Sequence, residues 1–284
     1  MSKIAHITCM VVLLMLTVSC IKDSLSDCPV QYAVEVSIQD KNYSNVNQFL
    51  DLIPEDESLP FSHFAGTVYY TLSNPLTGEI VRQSAVLPSN NTGANYTIAF
   101  NDVPAGEYVL LVWGNLTNIV SAGILHPDNK EHTDIYAAGT KINITTGNHT
   151  SKLALARAKG KLVIFYKNFP SDIARIHQTI SPVFQSTDAY LNYSGSTSVE
   201  KEMDLAASTE MLVAPSLPDG KAKLTLNFYN TSGEPVLVSP ETDITLQRNQ
   251  ISALTVDFND IDNTLEIWMF IDGAWKIVHQ LDVD

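Results

Sequence analysis

Val30-Gln31-Tyr32-Ala33-Val34-Glu35-Val36-Ser37-Ile38 alternates apolar and mostly polar residues with a strict period of two. Successive side chains of a strand point to opposite faces, so this stretch reads as a half-buried β-strand. The pattern recurs along the chain. Residues 67–72 and 80–87 are rich in β-branched and aromatic side chains, with a turn at Asn74-Pro75-Leu76-Thr77-Gly78 between them. Tyr96, Ile98 and Phe100 alternate. Val103-Pro104-Ala105-Gly106-Glu107 is a turn leading into residues 108–113, apolar on both faces and suited to the centre of a sandwich. Ile142 with Ile144, and Leu153 with Leu155, flank the turn Thr146-Gly147-Asn148.

A second series starts after Arg157-Ala158-Lys159-Gly160. Residues 162–167 are nearly all apolar. Ala222, Leu224, Leu226 and Phe228 share one face. Residues 236–238, 244–246 and 251–258 complete the run. Short strands with turns at this frequency describe antiparallel sandwiches. The reading is all-β, with two tandem Greek-key, Ig-like sandwiches over residues 30–157 and 158–260. Residues 46–53 are the main helical prediction, since Val46, Phe49, Leu50 and Ile53 share one helical face. Residues 172–180 are ambiguous.

The tail, residues 261–284, adds two more apolar segments around Asp272-Gly273, a strong hairpin signal. Leu265, Ile267, Met269 and Ile271 lie on one face; Trp268 and Phe270 lie on the other. Trp275, Ile277 and Val278 continue the second segment. A strand pair this apolar either closes its own sandwich or supplies a strand to another chain.

The N-terminus carries a different message. Lys3 is followed by the apolar residues 7–18, then Ser19 and Cys20. That is a secretory signal over residues 1–19, too short for a membrane span of about 20 residues. Leu16-Thr17-Val18-Ser19-Cys20 fits a loose lipobox, so Cys20 is the predicted site of lipidation by palmitate-type acyl chains. Residues 20–29 then form a lipidated linker. Two or more acyl chains hold a protein at a bilayer stably. No cofactor is expected beyond this covalent lipid.

Net charge is −14, with 17 Lys+Arg against 31 Asp+Glu. A field of that sign disfavours nucleic acid and anionic lipid surfaces. Cys28 has no partner once Cys20 is acylated, because Cys9 lies in the signal. The exported chain is expected to hold together by core burial rather than disulfides.

A search for chemistry yields no catalytic or metal-binding assignment. The chain has no Gly-x-Ser-x-Gly elbow, no His-Glu-x-x-His helix and no Gly-rich phosphate loop. His126 and His132 share a polar loop with Asp128 and Glu131, but their spacing matches no common zinc pattern. Asn-x-Ser/Thr triplets at Asn95, Asn115, Asn143, Asn148 and Asn192 reflect the Asn and Thr content of turns. Trp113 is assigned to the core. Trp268 and Trp275 in the tail remain open to stacking on sugars.

The order of features resembles one family. Cys20 is followed by Asp23-Ser24-Leu25-Ser26-Asp27-Cys28-Pro29 and then the alternating strand. This is similar to the start of FimB-type fimbrial anchor lipoproteins of Bacteroidales, which carry Asp-Leu-Ser-Asp-Cys-Pro. Ser24 is an insertion relative to that pattern. The segment from Val103-Pro104-Ala105-Gly106-Glu107-Tyr108 to Val112-Trp113-Gly114-Asn115 resembles the family's Pro-x-Gly-x-Tyr strand ending in Trp-Gly-Asn. Leu153-Ala154-Leu155-Ala156-Arg157-Ala158-Lys159-Gly160 resembles its domain junction. The resemblance implies paired transthyretin-like sandwiches on a non-enzymatic, surface-exposed outer-membrane lipoprotein. Such a protein holds the base of a fimbrium, limits its length and meets shaft subunits by β-strand complementation. It also implies that the first strand stays in place and fills the anchor's own groove. The candidate donor is then the tail, through Leu265, Ile267, Met269, Ile271, Trp275 and Ile277. The alternatives are a surface glycan-binding β-sandwich lipoprotein and a hydrolase whose residues lie far apart in sequence.

Overall fold

The computed structural model describes residues 32–282 apart from 91, 121, 146, 148, 219 and 260–263. The first sandwich contains β1 (Tyr32–Ile38), β2 (Thr67–Ser73), β3 (Ile80–Gln83), β4 (Leu87–Pro88), β5 (Tyr96–Phe100), β6 (Gly106–Gly114), β7 (Tyr136–Ile144) and β8 (His149–Arg157). Their order is β3-β2-β6-β7-β8-β1-β5, with β4 also on β2. β7 and β8 pair only at Tyr136 with Arg157 and Ala137 with Ala156, so the ladder turns a corner there and folds over its own core.

β1 shows why the opening stretch decides the fold. Tyr32, Val34, Val36 and Ile38 are all buried, with Val34 and Val36 fully so. Each such side chain contributes about 1.5–3 kcal/mol of burial. β1 runs antiparallel to β5 and parallel to β8, so both of its backbone edges are paired.

The second sandwich contains β9 (Gly160–Lys167), β10 (Ile173–Val183), β11 (Ser186–Thr187), β12 (Tyr193–Ser194), β13 (Thr197–Asp204), β14 (Ser208–Val213), β15 (Ala222–Asn230), β16 (Pro235–Val238), β17 (Thr242–Ile244), β18 (Ile251–Asn259), β19 (Thr264–Ile271) and β20 (Ala274–Asp282). One sheet runs β13-β10-β15-β16 with β17 on β15; the facing sheet runs β14-β9-β18-β19-β20. The ambiguous residues 172–180 belong to strand β10. The first strand again lies between an antiparallel partner, β14, and a parallel late strand, β18. Both sandwiches thus use the same arrangement around their first strand.

The helix predicted over residues 46–53 does not form. Only a 3-10 turn, Val46–Gln48, forms within this segment. Asn45 explains this. Its side-chain amide donates to the carbonyl of Ile251 and its Oδ1 accepts from Ile251 N–H, each at 2.8 Å. This segment is therefore a strap pinned to the start of β18. Val46 and Phe49 are buried against Val163, Ile251 and Ala253 of the second sandwich. Leu50 and Ile53 stand in solvent; a helix would have put all four on one face.

Candidate partner-binding surface

The junction between sandwiches is built from Arg157 at the end of β8. Its Nε lies 2.9 Å from Asp134 Oδ2, and its side chain donates to Tyr136 Oη at 2.8 Å and to the Asp40 carbonyl at 3.1 Å. The guanidinium stacks 3.9 Å over the Tyr43 ring. Asp40 Oδ2 accepts from Arg157 N–H at 3.0 Å and from Arg248 at 2.7 Å. Lys159, fully buried, donates to the carbonyls of His132 and Thr133 at 3.0 and 3.1 Å. Burial lowers its ammonium to about 8. The motif that resembled a family junction is thus a charged lock.

The His126–His132 loop has a structural role here. His126 Nε2 accepts from Ala214 N–H at 2.9 Å, which leaves Nδ1 to donate to the Lys130 carbonyl at 3.0 Å. Burial, reinforced by the Lys159 charge, pushes this imidazole down to about 3. Glu131 accepts from Leu212 N–H at 2.6 Å. Among the described residues no group of three or more His, Cys, Asp or Glu could hold a metal ion. No described helix is long and apolar enough to cross a membrane.

Trp113 is buried, and the reason is tertiary. One face of β6 fills the first core through Tyr108, Leu110 and Val112. Trp113, with Leu116 and Leu125, joins the second domain's core instead. Gly123 makes this close approach feasible. A Cβ there would lie 2.4 Å from the Thr187 carbonyl oxygen, and its φ is +84°.

The tail forms the expected hairpin. Asp272 and Gly273 have φ of 54° and 80°, the left-handed pair that a tight two-residue turn requires. The hairpin belongs to the second sandwich, because β19 pairs with β18 on one side and β20 on the other. Leu265 and Ile267 are fully buried in that core, with Met269 packed against it. These three residues, with Ile271 in the same paired strand, therefore belong to the chain's own sheet. The candidate partner-binding surface narrows to β20, the sheet's outer strand, where Trp275 is 40% and Ile277 47% exposed. Cys20, Asp27, Cys28 and Pro29 lie outside the described residues.

The outer face of this sheet is graded by row. Val163, Ala253, Phe270 and Trp275 lie nearest the strap, where Phe49 packs 4.8 Å from Phe270. Phe165, Thr255, Trp268 and Ile277 form the next row. Lys167, Asp257, Glu266 and Gln280 form a polar one. Sequence reading had the two tail tryptophans but not this grading, which needs the pairing of four strands.

No family model and no curated protein matches the sequence. Solved structures do match. The fimbrial anchor protein Mfa2 from Porphyromonas gingivalis is similar over 89% of this chain and 100% of that one, with TM-score 0.52 and 12% identity. A candidate polysaccharide-binding protein from Bacteroides thetaiotaomicron covers 88% and 98%, with TM-score 0.55 and 12% identity. A candidate adhesin from Bacteroides ovatus covers 88% and 95%, with TM-score 0.51 and 11% identity. The chain has the tandem β-sandwich fold of these Bacteroidales fimbrial anchor and adhesin structures.

Proposed function

We propose that this protein is a non-catalytic, surface-exposed outer-membrane lipoprotein that anchors a fimbrium and limits its length. Acyl chains on Cys20 would be its membrane attachment. The shaft subunit would add a strand to the free edge of β20.

One observation carries this reading: among the described residues β1 is paired on both sides while β20 is paired on one. A subunit whose own first strand fills its groove accepts no donor there, which suits the end of a polymer. An unpaired strand edge supplies backbone donors and acceptors for one further chain. Ile277 and Leu281 on β20 are exposed and would bury on such addition. The Asp-Ser-Leu-Ser-Asp-Cys-Pro stretch and the fold shared with Mfa2 support the same reading.

The test uses two variants expressed in place of the wild type. Ile277→Asp should stay in the outer membrane and release fimbriae into the medium. Cys20→Ala should lose membrane retention, with fimbriae detaching or lengthening. Normal length and retention of fimbriae in both would reject the proposal.

A further inference from the structure

We infer a carbohydrate-binding site on the outer face of the second sandwich, centred on Trp268 and Trp275. The two tryptophans occupy adjacent rows of adjacent strands, since Trp268 pairs with Ile277 and Trp275 with Phe270. They line a shallow cleft of about 260 Å³ together with Lys167, Thr255 and Asp257. Closed small-molecule pockets hold about 300–1,000 Å³. This smaller, open cleft suits a ring lying on a surface.

Both indoles are held in position. Trp268 Nε1–H donates to Glu266 Oε2 at 3.1 Å. Trp275 meets Phe270 and Phe165 edge to face, with centroids 5.5 and 6.3 Å apart. Such contacts fix the Trp275 ring, which remains 40% exposed. The polar rim is also ordered. Asn168 donates to Asp257 Oδ1 at 2.8 Å, leaving Oδ2 to accept from a ligand. Lys167 pairs in register with Asp257 and is exposed.

This combination selects a sugar. A pyranose has one flat face of weakly positive C–H groups and a rim of hydroxyls. An indole face is electron-rich and attracts the former; a carboxylate and an ammonium match the latter. A purely apolar partner would cover the Lys167 ammonium and Asp257 Oδ2 without offering either a hydrogen bond, a costly outcome on burial. An anionic membrane surface is disfavoured by Asp257 and Glu266 on the same face.

The test is electrophoresis of the folded protein in native gels containing yeast mannan, laminarin or mucin. The wild type should be retarded by at least one of them. Trp275→Ala and Asp257→Asn should weaken that binding at least tenfold, while Tyr190→Ala, an exposed aromatic elsewhere, should leave it unchanged. Circular dichroism of each variant checks folding. The inference fails if the wild type migrates unretarded in all three gels, or if well-folded Trp275→Ala is retarded like the wild type. Release of fimbriae by Trp275→Ala without any wild-type retardation would assign the face to a protein partner and would also overturn it.

Discussion

Arg248 Nη1 lies 2.7 Å from Asp40 Oδ2, although 208 positions separate the two residues. Asp40 lies two residues after β1, and Arg248 precedes β18. The strand nearest the N-terminus is therefore tied to the second sandwich by an ion pair as well as by the chain. Asp40 also accepts from Arg157 N–H. In the proposed anchoring role, load would pass through this connection and bypass most of the first domain.

Asp40→Ala should be strongly destabilising. It leaves the buried Arg157 N–H without its acceptor and takes the carboxylate from Arg248, which keeps only the Arg157 carbonyl at 3.1 Å. Breaking a fully buried pair costs about 3–5 kcal/mol; with Arg248 one-third exposed, the expected loss is about 2–3 kcal/mol. Urea unfolding should show this loss. A cost below 1 kcal/mol would mean that the lock contributes little.

His126 should make stability fall in acid. Its folded pKa is depressed to about 3, whereas the unfolded imidazole titrates near 6.5. Between these values the unfolded state binds the extra proton, so stability is complete above pH 6.5 and is lost as pH falls towards 3. The slope for one group approaches about 1.4 kcal/mol per pH unit. Urea midpoints at pH 7, 5.5 and 4.5 should decline more steeply for the wild type than for His126→Gln. Equal slopes would contradict this assignment.

Phe49 and Leu50 are neighbours with opposite expected effects. Phe49 is buried against Phe270, Val163 and Ala253 of the second sandwich, while Leu50 is fully exposed. Phe49→Ala should cost about 3–5 kcal/mol. Leu50→Ala should stay within about 0.5 kcal/mol of the wild type. Thermal unfolding of the two side by side distinguishes the strap from a helix, which would bury both.

Gly273→Ala tests the tail turn. A Cβ there meets nothing within 4 Å, so only backbone strain at φ +80° opposes the change. The cost of that conformation for an L-residue is about 1–2 kcal/mol. Hydrogen exchange across β19 and β20 should quicken. Unchanged exchange would show that the turn does not limit the hairpin.

Much of the architecture was legible because strands carry a strict period. Tyr32, Val34, Val36 and Ile38 declared their face without help, and Asp272-Gly273 declared its turn. The strap was misread because Val46, Phe49, Leu50 and Ile53 satisfy a helical period by accident. What overrides that period is Asn45 bonding to Ile251, a contact 206 positions away. Residues 197–204 and 208–213 form strands that a weak alternation did not announce. The tail was ambiguous for a related reason: alternation tells which side chains want burial, but not in which sheet.

By itself, the sequence determined the all-β class, the two series of strands and the hairpin at the end. Those depend on local period and turn chemistry, which are written residue by residue. Only the tertiary structure decided that β19 belongs to its own core, that Arg157, Asp40 and Arg248 lock the sandwiches, and that Trp268 and Trp275 line one cleft with Lys167 and Asp257. These outcomes depend on register between strands distant in the chain. Register is set by the collective burial of whole faces, which no short stretch encodes.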